Sequence, residues 1–300
     1  MVRTLAVLLL PAVLAASPLA AQRPRVSPHP DSARLFTDDI PRFWAVFDRA
    51  TEATLPDLLQ RDYLDRGTPG LRGFVPHRIR SAADLARTVG ARRDRYAEVR
   101  EATLAASSAE RAFRAPFYAL EYLYPDAVFP DVYLVIGRFS SGGTATDEGL
   151  VIGAEMLRGR DAARGLVAHE LIHFQQRASG QYAAAEAAPS LLALALLEGS
   201  ASFLAELTSG VRGEAAAHEY GRAHERELWE EFRRVMRGTD TQGWFQGDPP
   251  GPRPADLGYF VGYRIAEAYY DRAPDKRQAI REILTTRDFE AFLARSGYRP

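Results

Sequence analysis

Residues 161–178 read DAARGLVAHELIHFQQRA, and two histidines in that run, His169 and His173, stand four apart. Ala163, Leu166, Val167, Leu171, Phe174 and Ala178 recur at the three-to-four-residue spacing of a helix that packs inward. Asp161 is placed to start the helix and Gly180 to follow its end. On such a helix the two histidines lie one turn above each other on one face. Two imidazoles so placed can reach a single zinc ion. Glu170 projects to the adjoining face, where it can accept a proton from metal-activated water. The bland alternative is a pair of surface histidines beside a glutamate.

A catalytic zinc needs a third protein ligand and an open position. A ligand further along the same helix would require glycine at 176 and histidine at 179, and the chain has Gln176 and Ser179. The remaining arrangement takes a glutamate from a second helix. Glu198 is the only charge in Pro189–Ala205, a segment apolar enough to be buried on nearly all sides. A buried carboxylate without a partner costs several kcal/mol, and a metal cation would compensate it. The competing reading pairs Glu198 with a buried arginine. Glu206 is the runner-up ligand, or a partner to a histidine. Glu186 sits too near the end of the first helix to be favoured.

Outward from this core the chain reads as mostly helical. Helices are expected over Asp38–Ala53, Leu55–Leu64 (ended by Gly67–Gly70), Ser81–Leu104 and Ala109–Tyr124, the last kinked or divided at Pro116. The period changes at Val132–Phe139 (VYLVIGRF) and Gly149–Met156 (GLVIGAEM), two strand-like runs expected to form a hairpin with a loop at 140–148. After Asp161 the pattern is helical again except at 238–256, a stretch with four prolines, four glycines and Trp244-Phe245 at its centre. The fold class expected is α+β, predominantly α-helical, with a small sheet before the histidine-bearing helix.

Residues 1–21 carry one charge, a short apolar run broken by Pro11 and an Ala-rich end, the composition of a secretory signal peptide cleaved after Ala21. Residues 22–37 read as a proline-containing linker, and 38–300 as one domain, with a helical part over 38–128 and the sheet and metal site over 129–300. The expected location is periplasmic or secreted. No transmembrane span is expected; only the helix near 190 approaches the length without more than one charge. Net charge −1 and 26% charged residues argue against a nucleic-acid partner. The absence of cysteine excludes disulfides, thiolate metal sites and a thioether lipid anchor.

The pattern resembles the gluzincin-type zinc peptidases of bacteria, specifically the exported group related to the gliding-motility lipoprotein B family. The resemblance rests on His169-Glu-Leu-Ile-His173 with Gln175, on Glu198-Gly-Ser-Ala201 and on Gly258-Tyr-Phe-Val-Gly262-Tyr-Arg264. Gly142-Gly-Thr144 and Leu150-Val-Ile-Gly153 fit as well. It implies a zincin-like fold, a Zn2+ cofactor, His169, His173 and Glu198 as ligands, and Glu170 as base. Two departures stand out. A chain without cysteine is no lipoprotein, and Ser202 occupies the position four residues after Glu198 where some gluzincins carry aspartate.

The activity expected is peptide-bond hydrolysis by metal-activated water with Glu170 as general base. An oxyanion donor is also needed. Tyr259 and Tyr263 share one face of a helix expected from Asp256 to Tyr270; Tyr263 is preferred, Tyr259 second, and packing roles are the alternative for both. His218 and His224 are expected at the surface, with either a possible donor. An extended peptide or protein substrate is expected to pair with 149–156 as a sheet edge, with 238–256 closing over it. The alternative to an enzyme is a catalytically silent zincin-fold binding or envelope-assembly protein.

Overall fold

The computed structural model describes residues 26–106, 110–157, 160–245 and 253–300. The signal-peptide reading of 1–21 lies outside these residues. The stretch read as a linker contributes to the fold from Val26 onward. Strand β1 (Val26–Ser27) pairs antiparallel with β3 (Phe129–Pro130), and β2 (Leu35–Phe36) pairs parallel with β4 (Val132–Val135). Asp131 holds this start of the chain in place, accepting from the Arg34 backbone N–H at 2.8 Å and from its guanidinium at 2.7 Å.

The larger sheet has the order β2-β4-β6-β5, with β5 spanning Gly143–Thr146 and β6 Gly149–Gly153. The expected hairpin between 132–139 and 149–156 is not formed: β4 and β6 run parallel, Val132 beside Leu150. The tight hairpin is instead β5–β6, turned at Asp147-Glu148. The GTAT run of β5 is too short and polar to announce itself, and Gly142-Gly143 reads as a strand boundary. Gly149 begins β6 at φ +136°, and a β-carbon there would sit 2.2 Å from the Asp131 carbonyl oxygen. Strand β6 is buried along its whole length. A strand covered on both faces has no reason to alternate, which is why GLVIG is apolar throughout.

The first face of the sheet is covered by α1 (Asp39–Arg49) and α3 (Pro69–Phe74), with α2 (Leu55–Leu59), α4 (Ala82–Ala91) and α5 (Arg93–Ala106) behind them. Phe43, Trp44, Tyr63 and Tyr96 form an aromatic core there. The Tyr63 and Tyr96 hydroxyls donate to the carbonyls of Ile136 and Gly137, both at 2.7 Å. The helix expected over 81–104 is broken at Arg92. Pro116, by contrast, lies inside an undivided α6 (Glu110–Leu123).

The other face carries α7 (Arg160–Ala178), followed by α8 (Gln181–Ala187), α9 (Leu191–Ser209), α10 (Ala215–Ala223), α11 (Glu225–Val235), α12 (Leu257–Arg272), α13 (Lys276–Thr285) and α14 (Phe289–Ser296). Helix α9 is long and apolar enough to cross a membrane, yet it is the central helix of this half, packed on α7 and α12. Its N-terminus is capped by the Ser190 hydroxyl, which accepts from the Ala193 N–H at 3.1 Å.

Candidate metal centre

Helix α7 presents His169 and His173 side by side, and α9 brings Glu198 to them. The Glu198 Oε2 lies 3.3 Å from His169 Nε2 and 3.1 Å from His173 Nε2. One ligand atom from each of the three residues falls within 4.8 Å of the other two. Burial alone would raise the Glu198 carboxyl, but the two imidazoles hold it below the usual carboxylate range. Burial is the largest single influence on His173 and pushes it down, but Glu198, Glu170 and Gln176 together outweigh it, so its net shift is upward.

The hydrogen bonds around His173 show why a cation fits here. Gln176 Nε2 donates to the Leu197 carbonyl at 2.9 Å and to Ser200 Oγ at 3.1 Å, which turns its Oε1 toward His173 Nδ1 at 2.7 Å. That oxygen only accepts, so Nδ1 carries the proton. In its neutral form the ring would then have a bare lone pair on Nε2, facing the Glu198 oxygen. Two acceptors at that distance need a shared proton or a cation between them, and a His/His/carboxylate donor set suits zinc. Tyr182, across the Gly180 turn, also puts its hydroxyl 3.0 Å from His173 Nδ1.

His169, Glu170, His173, Glu198 and Tyr259 all line one open cleft of about 1110 Å³. Glu170 is buried, which raises its pKa against the opposing pull of His173 and His169. Among the described residues nothing hydrogen-bonds its carboxylate. Gly143 of β5 packs directly on it: a β-carbon there would lie 2.6 Å from Glu170 Cγ. The base candidate is thus held between α7 and the sheet's edge.

The structure places the preferred tyrosine outside the cleft and the second one in it. Tyr263 donates to Glu206 at 2.9 Å and packs on Phe203 and His218, away from the cleft. Tyr259, one turn earlier, lines the cleft with its ring 6.1 Å from that of His169. Periodicity placed both on one face, but only the packing of α12 on α9 decides which reaches the histidines. Glu206 is no runner-up ligand, since it is held by the Arg212 guanidinium through two contacts of 2.7 Å. Glu186 is exposed on α8 and outside the cleft.

His218 is buried rather than exposed, with neither ring nitrogen partnered among the described residues. Burial, then Arg212, push its pKa down to about 4. His224 is half-buried and stacks on Tyr220, 4.1 Å between centroids.

Strand β6 is not a free edge, because it pairs with β4 on one side and β5 on the other. The edge at the cleft is β5. Trp244 is buried against Phe232, and half-buried Phe245 packs on Tyr259, so both sit in packed positions rather than on a free flap; residues 246–252 lie outside the described residues. Sequence reading also missed Tyr182, Gln176 and Glu214 as neighbours of the histidines. Gln176 carried a signal, as a glutamine one turn beyond His173 on the buried face of the helix. Glu214, sixteen residues after Glu198, carried none.

A helix pair that brings His-Glu-x-x-His and a buried glutamate together defines a zinc-protease-like class of site. A family model described as predicted Zn-dependent protease (DUF2268) matches residues 136–287, just over half of the chain, and the chain belongs to that family. The match spans the β5–β6 hairpin and both helices of the site. No curated protein and no solved structure matches the chain.

Proposed function

We propose that the protein is an exported zinc metallopeptidase of gluzincin type, with His169, His173 and Glu198 as metal ligands and Glu170 as general base. The observation that carries this reading is the convergence of the two Nε2 atoms on one oxygen of Glu198. Bound zinc would supply Lewis-acid polarisation of a carbonyl and lower the pKa of a coordinated water.

The chain's own residues have separable tasks in this reading. Gln176 fixes the His173 tautomer. Glu170, raised by burial, takes up a proton at its carboxylate and delivers it to the departing amine. The Tyr259 hydroxyl, protonated because burial and Glu198 raise its pKa, donates to the oxygen on which charge develops.

Strand β5 supports an extended peptide as substrate. Gly153 donates to the Gly142 carbonyl at 2.8 Å. Antiparallel alternation from that bond turns Ala145 N–H and C=O toward the unpaired side of β5. A peptide can add there as one more strand.

Elemental analysis of purified protein, followed by peptide-library cleavage with and without chelator, tests the proposal. One zinc per chain and chelator-sensitive cleavage are expected. Zinc without cleavage of any peptide would mark a silent binding or envelope-assembly protein, and absence of zinc would reject the metal centre. Sequencing the amino terminus of the exported protein tests cleavage after Ala21.

A further inference from the structure

We infer that Glu214 is a positioning residue for His169, acting through the Ser202 hydroxyl. The inference rests on the metal reading above and deepens it. A histidine that offers Nε2 to a metal keeps its proton on Nδ1, and that N–H needs an acceptor. For His169 the only acceptor within reach among the described residues is Ser202 Oγ, at 3.4 Å. Ser202 lies four residues after Glu198, one turn along α9, and so faces the same histidine pair.

A hydroxyl has a single proton to give. If Ser202 accepts from His169, its own proton must go elsewhere. Glu214 Oε2 stands 3.0 Å from Ser202 Oγ; burial raises its pKa while His169 and the Ser202 hydroxyl pull it down, and as a carboxylate it can only accept. The direction of both bonds is therefore fixed: His169 Nδ1–H to Ser202 Oγ, and Ser202 O–H to Glu214. A serine too short to bring charge to the histidine is extended by a carboxylate from the turn between α9 and α10.

The backbone at Glu214 supports a specific role. Glu214 is one of four non-glycine residues with positive φ among the described residues, at φ 42° and ψ 44°. It precedes α10, yet its side chain does not cap that helix. No arginine or lysine pairs with it among the described residues. The left-handed backbone aims the carboxylate back at α9 rather than along α10. His173 has a neutral acceptor in Gln176, so the two imidazoles differ: only His169 is backed by a carboxylate.

Competition with a colorimetric chelator on the full mature chain tests this, with melting in excess EDTA as a check on the apo fold. Glu214→Gln and Ser202→Ala should each weaken zinc binding by about 10-fold, the lower end of what such outer partners contribute. The double variant should be no weaker than either single one within about twofold, because both act through one relay. Apo melting should be unchanged. Ser202→Asp in the Glu214→Gln background puts a carboxylate directly beside His169 and should restore affinity. Wild-type affinity in Glu214→Gln, or losses that multiply in the double variant, would overturn the relay while leaving the metal centre standing. Failure of the unmodified chain to bind one zinc would overturn the proposed function and the relay with it.

Discussion

A β-carbon on Gly199 would lie 2.4 Å from the Gly262 Cα, so α9 and α12 meet backbone to backbone. The contact is reciprocal: a β-carbon on Gly262 would lie 1.7 Å from the Ala195 carbonyl oxygen. Glu198 immediately precedes the first glycine, and Tyr259 lies one turn before the second. The crossing thus sets how a carboxylate and a tyrosine reach the same cleft. Gly262→Ala should force the helices apart and destabilise the fold by about 3 kcal/mol, at the upper end of overpacking costs, with weaker zinc binding. Urea unfolding and chelator competition measure the two effects; a variant as stable as the unmodified protein would show that the crossing yields without cost.

The second expectation separates binding from chemistry. Glu170→Gln removes a proton acceptor but no proposed ligand. Zinc content should stay at wild-type level while kcat falls by about 10²–10⁴-fold. His173→Ala should lose zinc and activity together. Metal analysis beside a peptide assay decides, and a fully active Glu170→Gln would remove the base from the mechanism.

What could be read from sequence, and what could not, divides along physical lines. The helix carrying His169 and His173 follows from local periodicity, and Glu198 from the cost of a lone buried charge. Neither inference needs a neighbour's position. The hairpin expectation failed because parallel pairing of β4 with β6 is non-local, and because the GTAT strand that intervenes has little strand character. Tyr263 was preferred over Tyr259 because a helical face is broader than the line of contact with α9. His218 was placed at the surface by its polarity, whereas the packing of Phe260 and Tyr263 buries it. Glu214 depends on a left-handed turn that no residue at 214 announces.

The two tyrosines now make opposite predictions. Tyr259→Phe removes the hydroxyl of the cleft tyrosine whose ring lies 6.1 Å from that of His169 and should lower kcat by about 10²-fold, the cost of losing one oxyanion donor. Tyr263→Phe removes a donor to Glu206, which Arg212 still holds. It should cost about 1 kcal/mol of stability with little change in kcat. Steady-state kinetics and unfolding of both variants check this, and a larger kcat loss in Tyr263→Phe would return the donor role to that residue.

If substrate adds to the sheet at β5, the Ala145 N–H is one of its hydrogen-bond donors. Ala145→Pro removes that donor on the unpaired side and leaves the β6 ladder intact. The loss of one main-chain bond, about 1–1.5 kcal/mol, should lower kcat/KM for an extended peptide by about 10-fold without altering zinc content. A single-residue amide substrate too short to pair with the strand should be unaffected. Equal losses for short and long substrates would place binding elsewhere in the cleft.

Glu155 sits at the far end of β6 from the turn, fully enclosed, where it accepts the Phe139 N–H at 3.2 Å. A β-carbon on Gly137 would lie 2.7 Å from its Oε1, and among the described residues its Oε2 has no partner. Burial pushes its pKa from 4.5 up to about 7, although the backbone N–H groups of Gly137 and Phe139 pull the other way. Because the folded pKa is the higher one, the folded state holds this proton more tightly than the unfolded chain. The favourable contribution is complete below pH 4.5, declines as the unfolded chain ionises, and is lost once pH passes 7. A shift from 4.5 to about 7 corresponds to about 3 kcal/mol. Stability of the unmodified protein should therefore fall by most of that amount between pH 5 and pH 8 through this group alone. Glu155→Gln keeps the acceptor for Phe139 but cannot ionise, so its stability should be flatter over the same interval and relatively greater at pH 8. Urea unfolding at the two pH values measures the difference, and parallel pH dependences in the two proteins would show that Glu155 titrates in the fold as it does in water.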